Sequence, residues 1–279
     1  MVNFNGTLVD SDFQISNSNR SFLFGDGVFE TMKVVNGKIL FFEDHYFRLM
    51  ASMRIVRMEI PMSFTLEYLE NQIMILVNEL NLNNSARVRF TVYRNEGGFY
   101  SPQTNSISFV IQATDLESKA YFIKDKKFEV DLYKDNHIPK QLLSTLKTTS
   151  KITQVVASVF AKENEFDSCI MLNDEKNVIE TISGNIFMLT NYRLITPPIS
   201  DGCLNGIMRK QIIQLLKLFP EIEFKEESIS PFDLQKADEL FITNVIAGIQ
   251  PISKYRKKDF GSVFSERLLE KLNQSISIN

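Results

Sequence analysis

The chain has 279 residues, of which 44% are hydrophobic and 23% charged, and its formal net charge is -3 at pH 7. These values are typical of globular proteins, so they exclude intrinsic disorder, collagen-like repeats and a coiled coil for the chain as a whole. The small negative charge and the lack of a long basic run argue against an electrostatic binder of nucleic acid.

Two cysteines and two histidines are too few for a disulfide framework or a zinc cluster, so no metal site is predicted. The first residues lack the charged start and apolar stretch of a signal peptide. Every apolar run is far shorter than the roughly 18 residues that a membrane span needs. We therefore expect a cytoplasmic protein whose partner is a small molecule or another protein, not a membrane.

The first part of the chain predicts four strand regions and two helices. Alternating apolar residues are typical of strands, and apolar residues three or four apart are typical of amphipathic helices. Strands are predicted over 2–9, 28–42 (with a hairpin turn at Asn36-Gly37), 86–94 and 106–113, and helices over 43–57 and 65–80.

The charged segment 114–127 lacks an apolar pattern and is the predicted linker. Beyond it, strands are predicted over 128–133, 168–173, 177–181, 185–190, 193–196 and 239–244, and helices over 149–163, 206–219 and 261–274. Hairpins mixed with separate helices indicate an α+β fold. We predict a small α/β domain over 1–115 and a larger α+β domain with a mainly antiparallel, barrel-like sheet over 123–279.

Lys147 and Glu180 are candidate chemical groups. Lys147 lies between Leu146 and a run of hydroxyl residues, where partial desolvation would lower its pKa and make the amine a nucleophile. A solvated lysine at a helix start is the ordinary alternative. Glu180 follows an apolar strand residue and would need a charged partner such as a pyridinium nitrogen, although an outward-facing strand residue fits equally well.

Three further segments suggest anion binding. In LNGIMRKQ (204–211) a glycine enters a predicted helix, whose free amides favour phosphate, although many helices begin this way without a ligand. Arg48 can add a bidentate phosphate contact, or it can lie on a solvated helix face. The loop RNEGGFYSP (94–102) is either a simple hairpin connection or a substrate-lining loop in which Arg94 binds a carboxylate.

Taken in order, five segments resemble the class IV aminotransferases, pyridoxal-phosphate enzymes of fold type IV. The segments are FGDGVFETMKVVNGKILFFEDHYFRL (24–49), the Lys147 region, VIETISGNIFML (178–189), TPPISDGCLNGIMRKQII (196–213) and ADELFITNVIAGIQPI (237–252). The resemblance implies pyridoxal 5'-phosphate as cofactor, held between the two domains. It also implies a homodimer whose partner chain contributes to the substrate pocket.

The resemblance also implies residue roles. Lys147, preferred to Lys140 and Lys151 because of its distance along the sequence from Glu180, would bind the cofactor covalently and move the substrate proton. Glu180 would keep the ring nitrogen protonated. The other predicted contacts are Arg48, Ile207, Met208, Thr243 and Asn244 with the cofactor phosphate, and Arg94, Tyr100 and Phe29 with the substrate.

Two departures from the family pattern bear on the reaction. The stretch TTSKI after Lys147 lacks the tyrosine that meets the cofactor in branched-chain enzymes. Phe99 stands where the lyases carry an arginine, which leaves Arg94, Arg87 and Arg89 as candidate partners of the substrate carboxylate. We predict an aminotransferase acting on a branched-chain-like amino acid and a 2-oxo acid. The alternatives are 4-amino-4-deoxychorismate lyase, which makes 4-aminobenzoate and pyruvate, and a non-catalytic binding protein with the same fold.

Overall fold

The computed structural model describes residues 1–124 and 127–277. The chain divides into two units: unit 1 is Met1–Lys119 with Lys147–Ser150, and unit 2 is Ala120–Leu146 with Lys151–Asn279. The short segment that carries the candidate lysine therefore belongs to unit 1. Residues 125 and 126 of the predicted linker lie outside the described residues, and the predicted domain bounds stay a prediction.

Unit 1 contains a six-stranded antiparallel sheet. Its strands are β1 (Val2–Phe4), β2 (Thr7–Val9), β3 (Gly27–Val35), β4 (Lys38–Ile39), β5 (Ser85–Arg94) and β6 (Ile107–Asp115). Their order across the sheet is β2-β1-β6-β5-β3-β4. The long paired strands β3 and β5 carry the candidates Phe29, Arg87, Arg89 and Arg94.

Two Asn-Gly turns join neighbouring strands of this sheet. The predicted turn at Asn36-Gly37 is confirmed, with φ angles of 50° and 74°. The prediction of one strand over 2–9 is wrong, because Asn5 and Gly6, with φ of 50° and 89°, fold it into a hairpin. Asn-Gly adopts positive φ at both turn positions with little strain, which suits tight hairpins.

Three helices lie in unit 1: α1 (Arg20–Phe24), α2 (Phe42–Ile55) and α3 (Leu66–Glu79). The predictions of α2 and α3 are confirmed, and the Thr65 hydroxyl caps α3 by accepting a hydrogen bond from the Tyr68 amide at 3.1 Å. The apolar faces of these two helices pack on one face of the sheet in a continuous core. The short helix α1 was not among the predicted elements.

Ten strands in the described part of unit 2 form a mixed sheet. They are β7 (Glu129–Leu132), β8 (Ser168–Leu172), β9 (Val178–Thr181), β10 (Asn185–Thr190), β11 (Arg193–Thr196), β12 (Glu223–Glu226), β13 (Glu239–Asn244), β14 (Gly248–Ile252), β15 (Lys254–Tyr255) and β16 (Lys258–Asp259). The order β12-β11-β10-β9-β8-β7-β15-β16 is joined at β10 by β13, which also pairs with β14. The pairs β11/β12, β7/β8 and β7/β15 are parallel. The other pairs described are antiparallel, so the sheet is mainly antiparallel, as predicted.

The helices of unit 2 begin near their predicted positions. They are α4 (Ile152–Glu163), α5 (Ile207–Leu215) and α6 (Val263–Ser277). The last residues of the predicted helix 206–219 form a separate 3-10 turn instead. Among the residues that the structure describes, no helix has the length and apolar character to cross a membrane.

Candidate active site

Lys147 lies in a short segment that pairs with the start of β3. Its carbonyl oxygen accepts a hydrogen bond from the Phe29 amide at 2.8 Å, and the Thr149 amide donates to the Gly27 carbonyl at 2.9 Å. Gly27 has no room for a side chain, because a Cβ atom there would lie 2.8 Å from Ser21 Oγ and 3.0 Å from Thr149. The packing against β3 therefore fixes the backbone of the candidate lysine.

The Phe29 ring contacts two cations. Lys147 Nζ lies 4.5 Å from the ring centroid, and the guanidinium carbon of Arg89 lies 3.6 Å from it. Arg89 pairs in register with Thr31, two residues along β3 from Phe29, so it projects from the same face. Burial lowers the pKa of Arg89, and the positive charge of Arg87 lowers it further. A guanidinium nevertheless remains charged in proteins. An amine and a cation suited to a carboxylate thus share one aromatic ring.

Arg48 on α2 forms a buried cluster with Glu30 of β3 and His45 of α2. Arg48 Nε and Nη2 donate to the two Glu30 oxygens at 2.7 and 2.5 Å, and His45 Nδ1 lies 2.7 Å from Glu30 Oε2. The side chains of His45 and Glu30 are only 1% and 2% exposed. Burial raises the pKa of Glu30, but the charge of Arg48 and the hydrogen bonds from both partners outweigh it and lower this pKa to about 2.

The pKa shifts of His45 and Glu30 determine how the free energy of unfolding changes in acid. Burial lowers the pKa of His45, against the opposing attraction of Glu30. The unfolded chain, where the histidine pKa is about 6.5, therefore gains a proton before the folded protein does, and the free energy of unfolding falls as pH drops below that value. Glu30 stabilises the fold above its usual pKa, and this contribution is lost as pH falls towards 2.

We expect His45→Asn to reduce the acid sensitivity of the fold. The asparagine N–H can replace the Nδ1 donor to Glu30, and the amide does not titrate. Urea unfolding at pH 7 and pH 5 should therefore show a smaller loss of unfolding free energy in the variant than in the wild type. An equal loss in both proteins would contradict the assignment of this sensitivity to His45.

Arg94 is held by residues outside the 94–102 loop. Its buried guanidinium donates to Asp26 Oδ2 at 3.0 Å, to the carbonyl oxygens of Val56 and Arg57 at 2.6 and 3.0 Å, and to the side chain of Asn105. These bonds occupy the edges that a substrate carboxylate would need. Arg94 is therefore not retained as a substrate contact.

Tyr100 lies at the exposed tip of the 94–102 loop. Its side chain is 92% exposed, and its ring lies 5.8 Å from that of Phe24. The loop below it is held by Arg20, whose Nη1 donates to three consecutive carbonyl oxygens, those of residues 97–99. The tip is thus a fixed, solvent-exposed aromatic surface of unit 1.

Glu180 is held by the loop that precedes α5. Its carboxylate lies on β9 and is 8% exposed, and Oε2 accepts a hydrogen bond from the Leu204 amide at 2.9 Å. The Leu204 carbonyl in turn accepts from Asn185 Nδ2 at 2.8 Å, and Asn185 pairs with Glu180 across β9 and β10. Two strands and one loop therefore fix the position of this acid.

The start of α5 offers hydrogen-bond donors for an anion. The helix begins at Ile207 and Met208, and no side chain caps it at Gly206. It packs against β13, where the Thr243 hydroxyl is buried and has no hydrogen-bond partner among the residues described. Asn244 Oδ1 instead accepts from two amides of the following turn at 3.0 and 2.8 Å, so it shapes that turn.

Gly206 is required by close packing at this helix start. A Cβ atom there would lie 1.9 Å from Asn185 Oδ1, so that side chain would have to move. We expect Gly206→Ala to lower the unfolding free energy by about 1–3 kcal/mol in urea titration. Gly261→Ala is the control, because its Cβ would approach no atom closer than 3.8 Å. Equal effects of the two substitutions would contradict the steric argument.

The two rival lysines lie in unit 2. Lys140 Nζ lies 2.9 Å from Glu175 and 3.6 Å from Asp201, so its amine is committed to ion pairs. Lys151 directly precedes α4, and burial lowers its pKa against the attraction of Glu180. Lys151 therefore remains the alternative that an experiment has to separate from Lys147.

The chemistry of these groups fits pyridoxal 5'-phosphate. Such a cofactor needs an amine for its aldehyde, an acid for its ring nitrogen and N–H or O–H donors for its phosphate. In unit 1, Lys147 is an amine for the aldehyde, and Arg48 has N–H donors for the phosphate. In unit 2, Glu180 is the acid, and the uncapped start of α5 with the unpaired Thr243 hydroxyl is suited to the phosphate.

Comparison with known proteins settles the family. The model of the family described as amino-transferase class IV matches residues 27–255. The chain belongs to this family. The predicted family, the α+β fold and pyridoxal phosphate as the family cofactor are thereby confirmed.

Relatives of this class IV chain are named for different reactions. A D-alanine aminotransferase of Bacillus licheniformis is 26% identical and covers 94% of this chain and 90% of its own. An aminodeoxychorismate lyase of Vibrio harveyi is 25% identical, with 84% of each chain covered. The crystal structure of a branched-chain aminotransferase from Thermoproteus uzoniensis, 25% identical, covers 97% of this chain and 92% of its own with a TM-score of 0.88.

Sequence reasoning did not identify every residue of this class IV site. Glu30 received no role. One signal was available: Glu30 is an acid inside the buried strand β3, where an unpaired charge would be costly. Such an acid predicts a buried cation nearby, which the structure provides in Arg48.

Proposed function

We propose that the protein is a pyridoxal-phosphate-dependent aminotransferase that moves an amino group between a branched-chain-like amino acid and a 2-oxo acid. The observation that carries the proposal is the contact of one ring, Phe29, with the Lys147 amine and the Arg89 guanidinium. A substrate held by its carboxylate on Arg89 would present its α-carbon towards Lys147. In this proposal Arg89, and not Arg94, binds the substrate carboxylate.

The candidate residues then have defined tasks. When bound, the cofactor supplies an electron-withdrawing ring that stabilises negative charge at the substrate α-carbon. Lys147 binds the cofactor aldehyde and later moves the α-proton. Glu180 holds a proton on the ring nitrogen. For the phosphate, unit 1 offers Arg48, and unit 2 offers the amides of Ile207 and Met208 and the Thr243 hydroxyl, while Asn244 orders the adjoining turn.

We also propose a cytoplasmic homodimer. The aromatic tip around Tyr100 is too exposed to line a pocket of its own unit. In a dimer it would contribute to the substrate pocket of the second copy. Tyr100→Ala would then raise the KM for the amino acid while leaving cofactor affinity unchanged, and light scattering would report two chains.

The alternative function is the lyase reaction, which releases pyruvate and 4-aminobenzoate from aminodeoxychorismate. It is favoured by the likeness to the Vibrio harveyi lyase. Against it stands Phe99, where the lyase pattern has an arginine. A non-catalytic binding protein is the third possibility, and the intact Lys147, Glu180 and Arg48 argue against it.

Two assays on the purified holoenzyme separate these functions. A panel of amino donors with 2-oxoglutarate should yield a 2-oxo acid from a branched-chain donor. Pyruvate release from aminodeoxychorismate without any added oxo acid would overturn this in favour of the lyase. Protein that stays colourless after addition of the cofactor would favour the non-catalytic alternative.

A further inference from the structure

The Arg48 guanidinium is fixed within the protein by the carboxylate of Glu30. Glu30 receives both Nε and Nη2, and this two-point contact sets the plane of the guanidinium as well as its position. Glu30 is itself held by His45 Nδ1. All three side chains are buried or nearly so, which leaves them little room for other arrangements.

We propose that Glu30 is a positioning residue for the cofactor phosphate, acting through Arg48. This inference rests on the proposed function, in which Arg48 binds the phosphate. A fixed guanidinium can meet a phosphate without first losing rotational freedom, and this preorganisation strengthens binding. His45 supports the same arrangement, because its Nδ1 contacts Glu30 Oε2, the oxygen that also accepts from Arg48 Nη2.

The position of Glu30 on β3 links the phosphate contact to the lysine contact. Glu30 directly follows Phe29, and successive side chains of a strand project to opposite faces. The ring of Phe29 therefore contacts Lys147 on one face, while Glu30 holds Arg48 on the other. One strand thus positions, through Phe29 and Glu30, the two side chains that are proposed to meet the cofactor's aldehyde and its phosphate.

The charge and the position of Glu30 act on phosphate affinity in opposite directions. The negative charge of Glu30 opposes a phosphate anion, so its removal alone would tighten binding. Loss of the two-point contact between Glu30 and Arg48 would weaken phosphate binding. Glu30→Asp keeps the charge but is one methylene shorter, so it cannot reach His45 and both Arg48 nitrogens together. This variant therefore isolates the positioning effect.

The test compares pyridoxal 5'-phosphate with pyridoxal, which lacks the phosphate. Apoprotein is titrated with each compound, and binding is followed by the absorbance of the lysine-bound aldehyde. We expect Glu30→Asp to weaken binding of the phosphorylated compound roughly tenfold, the upper range for ordering one side chain. Binding of pyridoxal should not change. Glu239→Asp, which shortens a buried carboxylate that caps α6, is the control and should alter neither affinity.

A double variant tests whether Glu30 acts through Arg48. In the Arg48→Lys background, Glu30→Asp should produce no further loss of preference for the phosphorylated compound. Should Glu30→Asp fail to fold, His45→Leu removes the donor that holds Glu30, and the same selective loss is expected. Unchanged preference, or equal weakening of both compounds, would overturn the proposal.

The outcome for the wild type separates this inference from the proposed function. A wild-type protein that binds neither compound at Lys147 would refute the proposed function itself. The role of Glu30 alone would be refuted by a different result. In that case the wild type binds pyridoxal 5'-phosphate at Lys147, and Glu30→Asp prefers it over pyridoxal as strongly as the wild type does.

Discussion

Lys147→Ala should abolish amino transfer, with kcat reduced by at least about 10³-fold, the scale of a lost proton-transferring group. The variant removes both the amine that binds the cofactor aldehyde and the base that moves the substrate proton. The backbone of this segment is held by hydrogen bonds to Gly27 and Phe29 that alanine retains. We therefore expect the fold and its unfolding free energy to survive the substitution.

The rival lysines provide matched controls for this experiment. Lys151→Ala and Lys140→Ala should keep amino transfer within a few-fold of the wild type. Borohydride reduction of the holoenzyme, followed by digestion and mass mapping, should place the cofactor label on the peptide that contains Lys147. A label on Lys151, or full activity of Lys147→Ala, would refute the assignment.

Long periodic segments were predictable from the sequence. The helices α2 and α3 each repeat apolar residues over about four turns, so the pattern exceeds local noise. The strand β5 was predictable because Val88, Phe90 and Val92, which alternate with polar residues, all face the core. By contrast, β1 and β2 have three residues each, and a run of that length carries no period that separates one strand from a hairpin.

The strands β14 and β12 were not predicted, for two different reasons. All five residues of β14 are buried, and its sequence GIQPI shows no alternation, so no strand was predicted there. The strand β12, EFKE, is mostly exposed and belongs to the sheet because it pairs in parallel with β11. Neither property is a feature of the local sequence.

Some residues of the candidate site were predictable from the sequence and others were not. Lys147, Glu180 and Arg48 lie in the segments that resemble the family, so the sequence alone identifies them as candidates. The role of Arg94 depends on residues distant along the chain, since Asp26 and Val56 take its hydrogen-bond donors. A sequence pattern names a side chain able to bind a carboxylate, but it does not reveal which carboxylate or carbonyl the fold brings to it.

Glu180→Gln should lower kcat by about 10²-fold, the scale of losing one preorganised electrostatic contact. An amide does not carry the negative charge that keeps a proton on the ring nitrogen, so charge at the substrate α-carbon is stabilised less. Glutamine has nearly the same shape, and its carbonyl oxygen can still accept the Leu204 amide hydrogen bond. The effect should therefore appear in kcat, with cofactor content and unfolding free energy little changed.

Glu239→Gln is the matched control for the loss of a buried carboxylate in unit 2. Glu239 is 6% exposed and accepts hydrogen bonds from the amides of Phe264 and Ser265 at the start of α6. Its neutralisation should reduce stability, because a charge-assisted cap becomes a neutral one, and should leave kcat near the wild-type value. If the two variants instead lowered kcat equally, the effect would reflect burial of a carboxylate in general. The assignment of Glu180 to the ring nitrogen stands only if kcat distinguishes them.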